Sequence, residues 1–279
     1  MPGPVEDAET ADAGPRPVEL HAADIDDVPI VWRSAPGGDP PVLYLHGVPE
    51  SGEQWLPFLQ RTGGLAPDLP GFGRSAKRAD FPHTIEGYAN WLERFLDHVG
   101  VERFRLALHD WGAVGLALAM RRPERVERLV VMDAVPFLPG YRWHWAARMW
   151  RRRVVGELFM GATTKFALRR ISGQPADVVD RWWRDFDQGT QRAILALYRN
   201  SPEDRLAAAG SDLDRVRCPA LVVWGEEDPY LDPSFADAYA GRLAHASLRR
   251  VPGAGHWPWL DEPGVTDEVC RFLDTGDSP

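Results

Sequence analysis

Asp110 stands at the end of the apolar run Phe104-Arg105-Leu106-Ala107-Leu108 and is followed at once by Trp111-Gly112 and the helix-forming stretch Ala113 to Met120. A strand that turns sharply into a helix exposes the residue at its apex. An aspartate placed there is an anion at neutral pH (reference pKa about 3.9) and needs no base to activate it. It is a poor acyl acceptor but attacks saturated carbon. The chemistry it suggests is the opening of an epoxide or the displacement of a halide. The plain alternative is an aspartate that caps the following helix.

Two further groups arrive in similar contexts. Ala220 to Trp224 reads as a buried strand that empties into Gly225-Glu226-Glu227-Asp228-Pro229, and Ser247 to Val251 leads into Pro252-Gly253-Ala254-Gly255-His256-Trp257. Asp110, Asp228 and His256 therefore each fall just past the C-terminal end of a strand, the edge where open α/β sheets bind ligands. An ester formed on Asp110 must be hydrolysed by water at the aspartate's own carbonyl. His256 is the natural base for that water, since imidazole titrates near neutrality. Asp228 would orient the ring and stabilise the imidazolium. Asp133, which ends the run Val130-Val131-Met132, stands in reserve for the acid.

The elements that must position these residues are legible at low resolution. Residues 17–35 read as two antiparallel edge strands, and Pro41 to Leu45 as a short strand that empties into His46-Gly47-Val48-Pro49-Glu50-Ser51. A short helix follows around Gln54 to Gln60, then a Gly-rich loop from Leu65 to Ser75, then an amphipathic helix capped by Thr84. Strands alternating with helices at this spacing give an α/β fold with a mostly parallel sheet covered on both faces. Residues 136–212 break that pattern. They are rich in Arg and Trp (Trp143, Trp145, Trp150, Trp182 and Trp183), have helical periodicity and contain no buried strand. We read them as a helical cap over the catalytic edge, with the core formed by 17–135 and 213–279.

With these motifs the chain resembles the α/β-hydrolase family, and within it the soluble epoxide hydrolase and haloalkane dehalogenase branch, over roughly residues 20 to 273. The resemblance implies an α/β-hydrolase fold with an inserted cap, and an oxyanion hole made by the backbone N–H groups of Val48 and Trp111. It also implies a cap donor facing Asp110. In epoxide hydrolases that donor is a pair of tyrosines, and Tyr198-Arg199-Asn200 matches the surroundings of the second. The first tyrosine's region, Val155 to Phe159, contains none, so Tyr141 and His144 are the nearest substitutes. Trp111 suits the halide-binding tryptophan of dehalogenases but is shared by both groups, and Val48 stands where some dehalogenases have asparagine. On balance the resemblance places epoxide opening to a diol first and haloalkane dehalogenation second. A non-catalytic α/β-hydrolase-fold binding protein remains as a third reading.

The whole chain bounds these readings. It has 279 residues, 41 acidic against 32 basic, for a net charge of -9. The excess of acid argues against nucleic acid or an anionic membrane as a partner. The expected partner is a small, mainly apolar substrate, with a homodimer left open. The acidic, Pro-rich start lacks a basic flank and an apolar stretch, so no signal peptide is expected. Residues 1–16 read as a disordered tail. Cys218 and Cys270 read as separate buried thiols of a cytoplasmic protein, and neither a metal nor a cofactor is expected.

Overall fold

A computed structural model describes residues 14–274. Most of the expectation for a disordered tail lies outside the described residues. Arg16 is fastened, its N–H donating to Gln60 O at 2.8 Å and its guanidinium to Arg61 O and Pro36 O.

Eight strands form one sheet. They are β1 (Glu19–Ile25), β2 (Val28–Ala35), β3 (Val42–Leu45), β4 (Gly64–Pro67), β5 (Phe104–Asp110), β6 (Val126–Ala134), β7 (Pro219–Gly225) and β8 (His245–Val251), in the spatial order β1-β2-β4-β3-β5-β6-β7-β8. The hairpin of β1 and β2 is antiparallel, as is the pairing of β2 with β4, and every other pairing is parallel. β5 and β6 lie centrally and are almost wholly buried, which explains their unbroken apolar runs. β2 is internal, because β4 pairs along its far side. From the sequence alone, both members of that hairpin are expected at the edge and residues 65–75 in a loop. β4 has four residues, a glycine and a proline among them, too few to show a period.

Helices flank the sheet. α1 (Leu56–Thr62), α2 (Ile85–His98) and α3 (Val114–Arg121) belong to its first half. The Thr84 hydroxyl caps α2 by accepting from Gly87 N–H, a bond that stabilises a helix start by about 1 kcal/mol. α3 is buried from Val114 to Met120 and supports the turn at Asp110 from behind.

Between β6 and β7 the described residues hold six α-helices and no strand. They are α4 (Trp145–Trp150), α5 (Val155–Gly161), α6 (Lys165–Ser172), α7 (Ala176–Asp185), α8 (Gln188–Asn200) and α9 (Glu203–Ala209). α10 (Ser234–Arg242), α11 (Pro258–Asp261) and α12 (Gly264–Asp274) complete the chain. α8 is pinned to the core by Thr190 Oγ1, which donates to Gly71 O at 3.1 Å, and by Asn200 Nδ2, which donates to His83 O at 3.0 Å. Among the described residues no helix is long and apolar enough to cross a membrane.

Candidate active site

Asp110 closes β5 at φ 49°, ψ -118°. A positive φ on an L-residue is strained and turns the side chain out at the apex. Its carboxylate packs against Gly47, where an added Cβ would come within 2.5 Å of Asp110 Cβ. Only glycine allows that approach. Val48 N–H, the next donor along, gives a 2.8 Å hydrogen bond to Asp110 Oδ2. The main-chain N–H of Trp111 makes no such bond.

His256 links both acids. Its Nδ1 lies 2.7 Å from Asp228 Oδ2, and its Nε2 lies 3.9 Å from Asp110 Oδ1. The other Asp228 oxygen accepts from the main-chain N–H groups of Tyr230 (2.7 Å) and Leu231 (3.0 Å). All three side chains are buried. Burial opposes charge on His256, but the carboxylates of Asp228 and Asp110 outweigh it and raise the imidazole to about 9. Burial also works against the Asp228 anion, yet His256 and the two N–H donors hold its pKa below the ordinary value. Asp110 moves up, because burial exceeds the pull of the two histidines and Val48 N–H.

Asp133 reaches the same region from β6. Its Oδ1 accepts from Gly225 N–H at 3.0 Å, while its Oδ2 is buried without a hydrogen-bond partner. Burial and the nearby Asp228 charge push its pKa well above the ordinary carboxylate value. Single oxygens of Asp133 and Asp228 and a nitrogen of His256 lie within 4.8 Å of one another, a spacing a cation could bridge. His256 Nδ1 is already committed to Asp228, which makes this an acid–imidazole arrangement.

This edge of the sheet opens into a cavity of about 280 Å³ lined by Asp110, His256 and Val48 on the sheet side and by residues from α4 to α8 above. Tyr198 of α8 lines it, with its ring edge-on to Trp111 at 5.2 Å and to Trp150 at 5.0 Å. Burial, with the charge of Asp110 behind it, keeps that phenol protonated. His144 also lines the cavity. Its Nδ1 accepts from Ala147 N–H at 3.4 Å, which leaves Nε2 to carry the ring proton, and burial lowers its pKa to about 4. Tyr141 does not reach the cavity. It lies behind Trp143, with ring centroids 5.0 Å apart and its hydroxyl buried without a partner.

The indole N–H of Trp111 is buried and meets no acceptor at hydrogen-bonding geometry, although the Tyr198 phenol is close enough to feel it. The N–H of Trp150, which lines the cavity, is likewise unpartnered. Trp143, by contrast, donates to Ser201 O at 3.0 Å.

Two residues assigned no role from the sequence hold the site together. Glu50 Oε2 lies 3.2 Å from His109 Nδ1, His109 Nε2 donates to the carbonyl of His256 at 2.8 Å, and Trp257 Nε1 donates to Glu50 Oε1 at 2.9 Å. The loop after β3 is thus tied through the residue preceding Asp110 to the loop that carries His256. The sequence contains both residues in its motifs, but only the fold makes them neighbours. His46 is structural, accepting from Leu69 N–H at 2.9 Å and donating from Nδ1 to Gly47 O at 2.8 Å.

Known proteins share this architecture. The family model described as alpha/beta hydrolase fold matches residues 40–263. A haloalkane dehalogenase of Mycobacterium marinum is 30% identical over 249 residues, covering 80% of this chain and 77% of that one. One from Mycolicibacterium paratuberculosis is 29% identical over 273 residues, covering 87% and 80%. The crystal structure of a haloalkane dehalogenase from Bradyrhizobium elkani superposes with a TM-score of 0.80 at 25% identity, covering 92% of this chain and 98% of that one.

Proposed function

The chain belongs to the α/β-hydrolase fold family, and within it we propose a haloalkane dehalogenase that works through an ester on Asp110. The observation that carries this choice is the buried, unpartnered indole N–H of Trp150 on the cavity wall, with the indole of Trp111, the residue after Asp110, buried beside the Tyr198 phenol. Leaving such a donor unsatisfied costs about 1–3 kcal/mol, and a departing halide would accept from it. The names of the relatives point the same way. They favour dehalogenation over the epoxide opening that the sequence motifs alone place first.

In the first step an Asp110 oxygen attacks the carbon that bears the halogen. The carbon–halogen bond breaks, and the halide leaves with the electron pair toward the indoles. In the second step His256 takes a proton from water, and the hydroxide adds to Asp110 Cγ. Val48 N–H, already on Oδ2, stabilises the oxyanion. Collapse expels the alcohol and restores the carboxylate, so haloalkane and water become alcohol, halide and a proton. Asp228 keeps the imidazole oriented and supports its charge. A cavity lined by nucleophile and base, with the acid hydrogen-bonded behind the base, favours a catalyst over a binding protein.

Epoxide opening stands as a second reading on one observation. The Tyr198 hydroxyl and His144 Nε2–H are both proton donors on the cavity wall, as an epoxide oxygen would require. Both reactions load Asp110, so intact-mass analysis of His256→Gln separates them. Incubated with 1-bromobutane, the variant should release one equivalent of bromide and carry a butyl group on the peptide containing Asp110. An adduct from a terminal epoxide alone would favour the second reading. No adduct from either would remove the Asp110 mechanism altogether.

A further inference from the structure

The outer surface of α4 to α6 has properties that the chemistry at Asp110 does not use. Among the described residues eight large apolar side chains are exposed, and six of them fall within residues 145–171: Trp145, Val154, Val155, Leu158, Phe166 and Ile171. Phe166 is 77% exposed, Leu158 70% and Val154 69%. Val154 also sits at φ 67°, a conformation that β-branched residues avoid, and it turns the chain outward between α4 and α5.

α6 contributes no buried residue, although Phe166, Ala167, Leu168 and Ile171 are apolar. A helix this short draws its stability from burying an apolar face, so α6 lacks a partner on its outer side. Ala167, Leu168 and Ile171 face the cavity, while Phe166, Arg169 and Arg170 share the outward face at i, i+3 and i+4.

The charge of this surface opposes that of the molecule. Residues 141–173 hold eight basic residues and one acidic one, in a chain of net charge -9. Arg151 pairs with Glu203 and Lys165 with Asp180. Arg142, Arg148, Arg152, Arg153, Arg169 and Arg170 are exposed and enter no ion pair among the described residues. Arg148, Arg151, Arg152, Arg153 and Arg199 line one concave surface beside α4.

We propose that this face docks on an anionic lipid bilayer, with Leu158, Phe166 and Trp145 seated among the lipid and the arginines on its phosphates. A bilayer offers anionic groups and an apolar interior within a few ångströms of each other, the same pairing that this surface presents. A second copy of the chain would bring two arginine-rich faces together. Tryptophan favours the level of the headgroups, and Trp145 belongs to the patch and to the cavity lining alike, as does Ile171. The mouth of the cavity therefore opens at the docked face, and an apolar molecule dissolved in the bilayer reaches Asp110 without crossing water. The expectation of no membrane partner rested on the summed charge. A surface responds to the local distribution, and the acidic remainder of the molecule orients the basic face toward the lipid.

Vesicle flotation tests the proposal without reference to any activity. The full-length protein should float with vesicles of phosphatidylglycerol mixed into phosphatidylcholine, float far less with phosphatidylcholine alone, and lose binding as salt rises. Leu158→Ser with Phe166→Ser should reduce partitioning by at least roughly ten-fold, and so should Arg152→Glu with Arg169→Glu. None of these four side chains lines the cavity, and unchanged thermal melting would show that the variants fold. Absence of flotation at low salt, or flotation equal in parent and variants, would overturn the proposal. So would sedimentation showing a parental dimer that the same substitutions dissolve, since the patch would then be covered by a second copy.

Discussion

His256 has two carboxylates around it, and the proposed ester on Asp110 would remove the charge of one. In the free protein Asp228 and Asp110 hold the imidazole at about 9 against the cost of burial, so at neutral pH it is an imidazolium. A base for water must be neutral. Esterification of Asp110 abolishes the anion 3.9 Å from Nε2, so the pKa of His256 must fall once the intermediate forms. Hydrolysis of the ester should therefore rise with pH to a plateau whose apparent pKa lies below that of His256 in the free protein, which the two carboxylates raise to about 9 and which an NMR titration would read directly. Single-turnover kinetics across pH supplies the comparison, and coincident values would mean that His256 does not sense Asp110. The two acids differ just as clearly. Asp228→Asn removes the charge that supports the imidazolium and should slow ester hydrolysis by several orders of magnitude. Burial and the Asp228 charge push the Asp133 carboxyl well above the ordinary carboxylate range, and its Oδ1 serves Gly225 N–H. Asp133→Asn keeps its shape and its acceptor for Gly225 N–H, so activity should stay within a few-fold. The reverse ranking in rapid-quench measurements would give Asp133 the catalytic part.

At the scale of elements, the sequence was informative wherever one strand or one turn settles the matter. β5 and β7 are apolar runs and β8 is a mixed one; each ends in a glycine-rich or acidic turn, and those turns place Asp110, Asp228 and His256 on one edge. The Thr84 cap was visible because capping is local. β4 was not, since four residues with a glycine and a proline become a strand only between β2 and β3. The link from Glu50 through His109 to His256 depends on a contact between residues 50, 109 and 256, and no spacing along the chain encodes it. The donors from α4 and α8 fall between these cases. Tyr198 was found through its neighbours Arg199 and Asn200, whereas the unpartnered N–H of Trp150 emerges only once Trp143 is seen to spend its own on Ser201.

At the scale of the molecule, the sheet supplies the reacting groups and the helices between β6 and β7 supply the container. The cavity is about 280 Å³, and Ala146, Ala162 and Ala167 give it width where α4, α5 and α6 converge. Small residues at those positions leave room for a carbon chain running from Asp110 toward the mouth. Ala167→Phe would place a ring across that path while leaving Asp110, His256, Trp111 and Val48 untouched. Ala167 is only half-buried, so the larger side chain can tilt outward at little cost to stability. The expected result is chain-length selective: kcat/KM for a long 1-haloalkane falls by roughly ten-fold or more, while that for a two- or three-carbon substrate stays near parental. Uniform loss across chain lengths would mean that α6 acts on the geometry of Asp110 rather than on the substrate's tail. No change for any length would mean that substrates reach Asp110 by a route that does not pass α6.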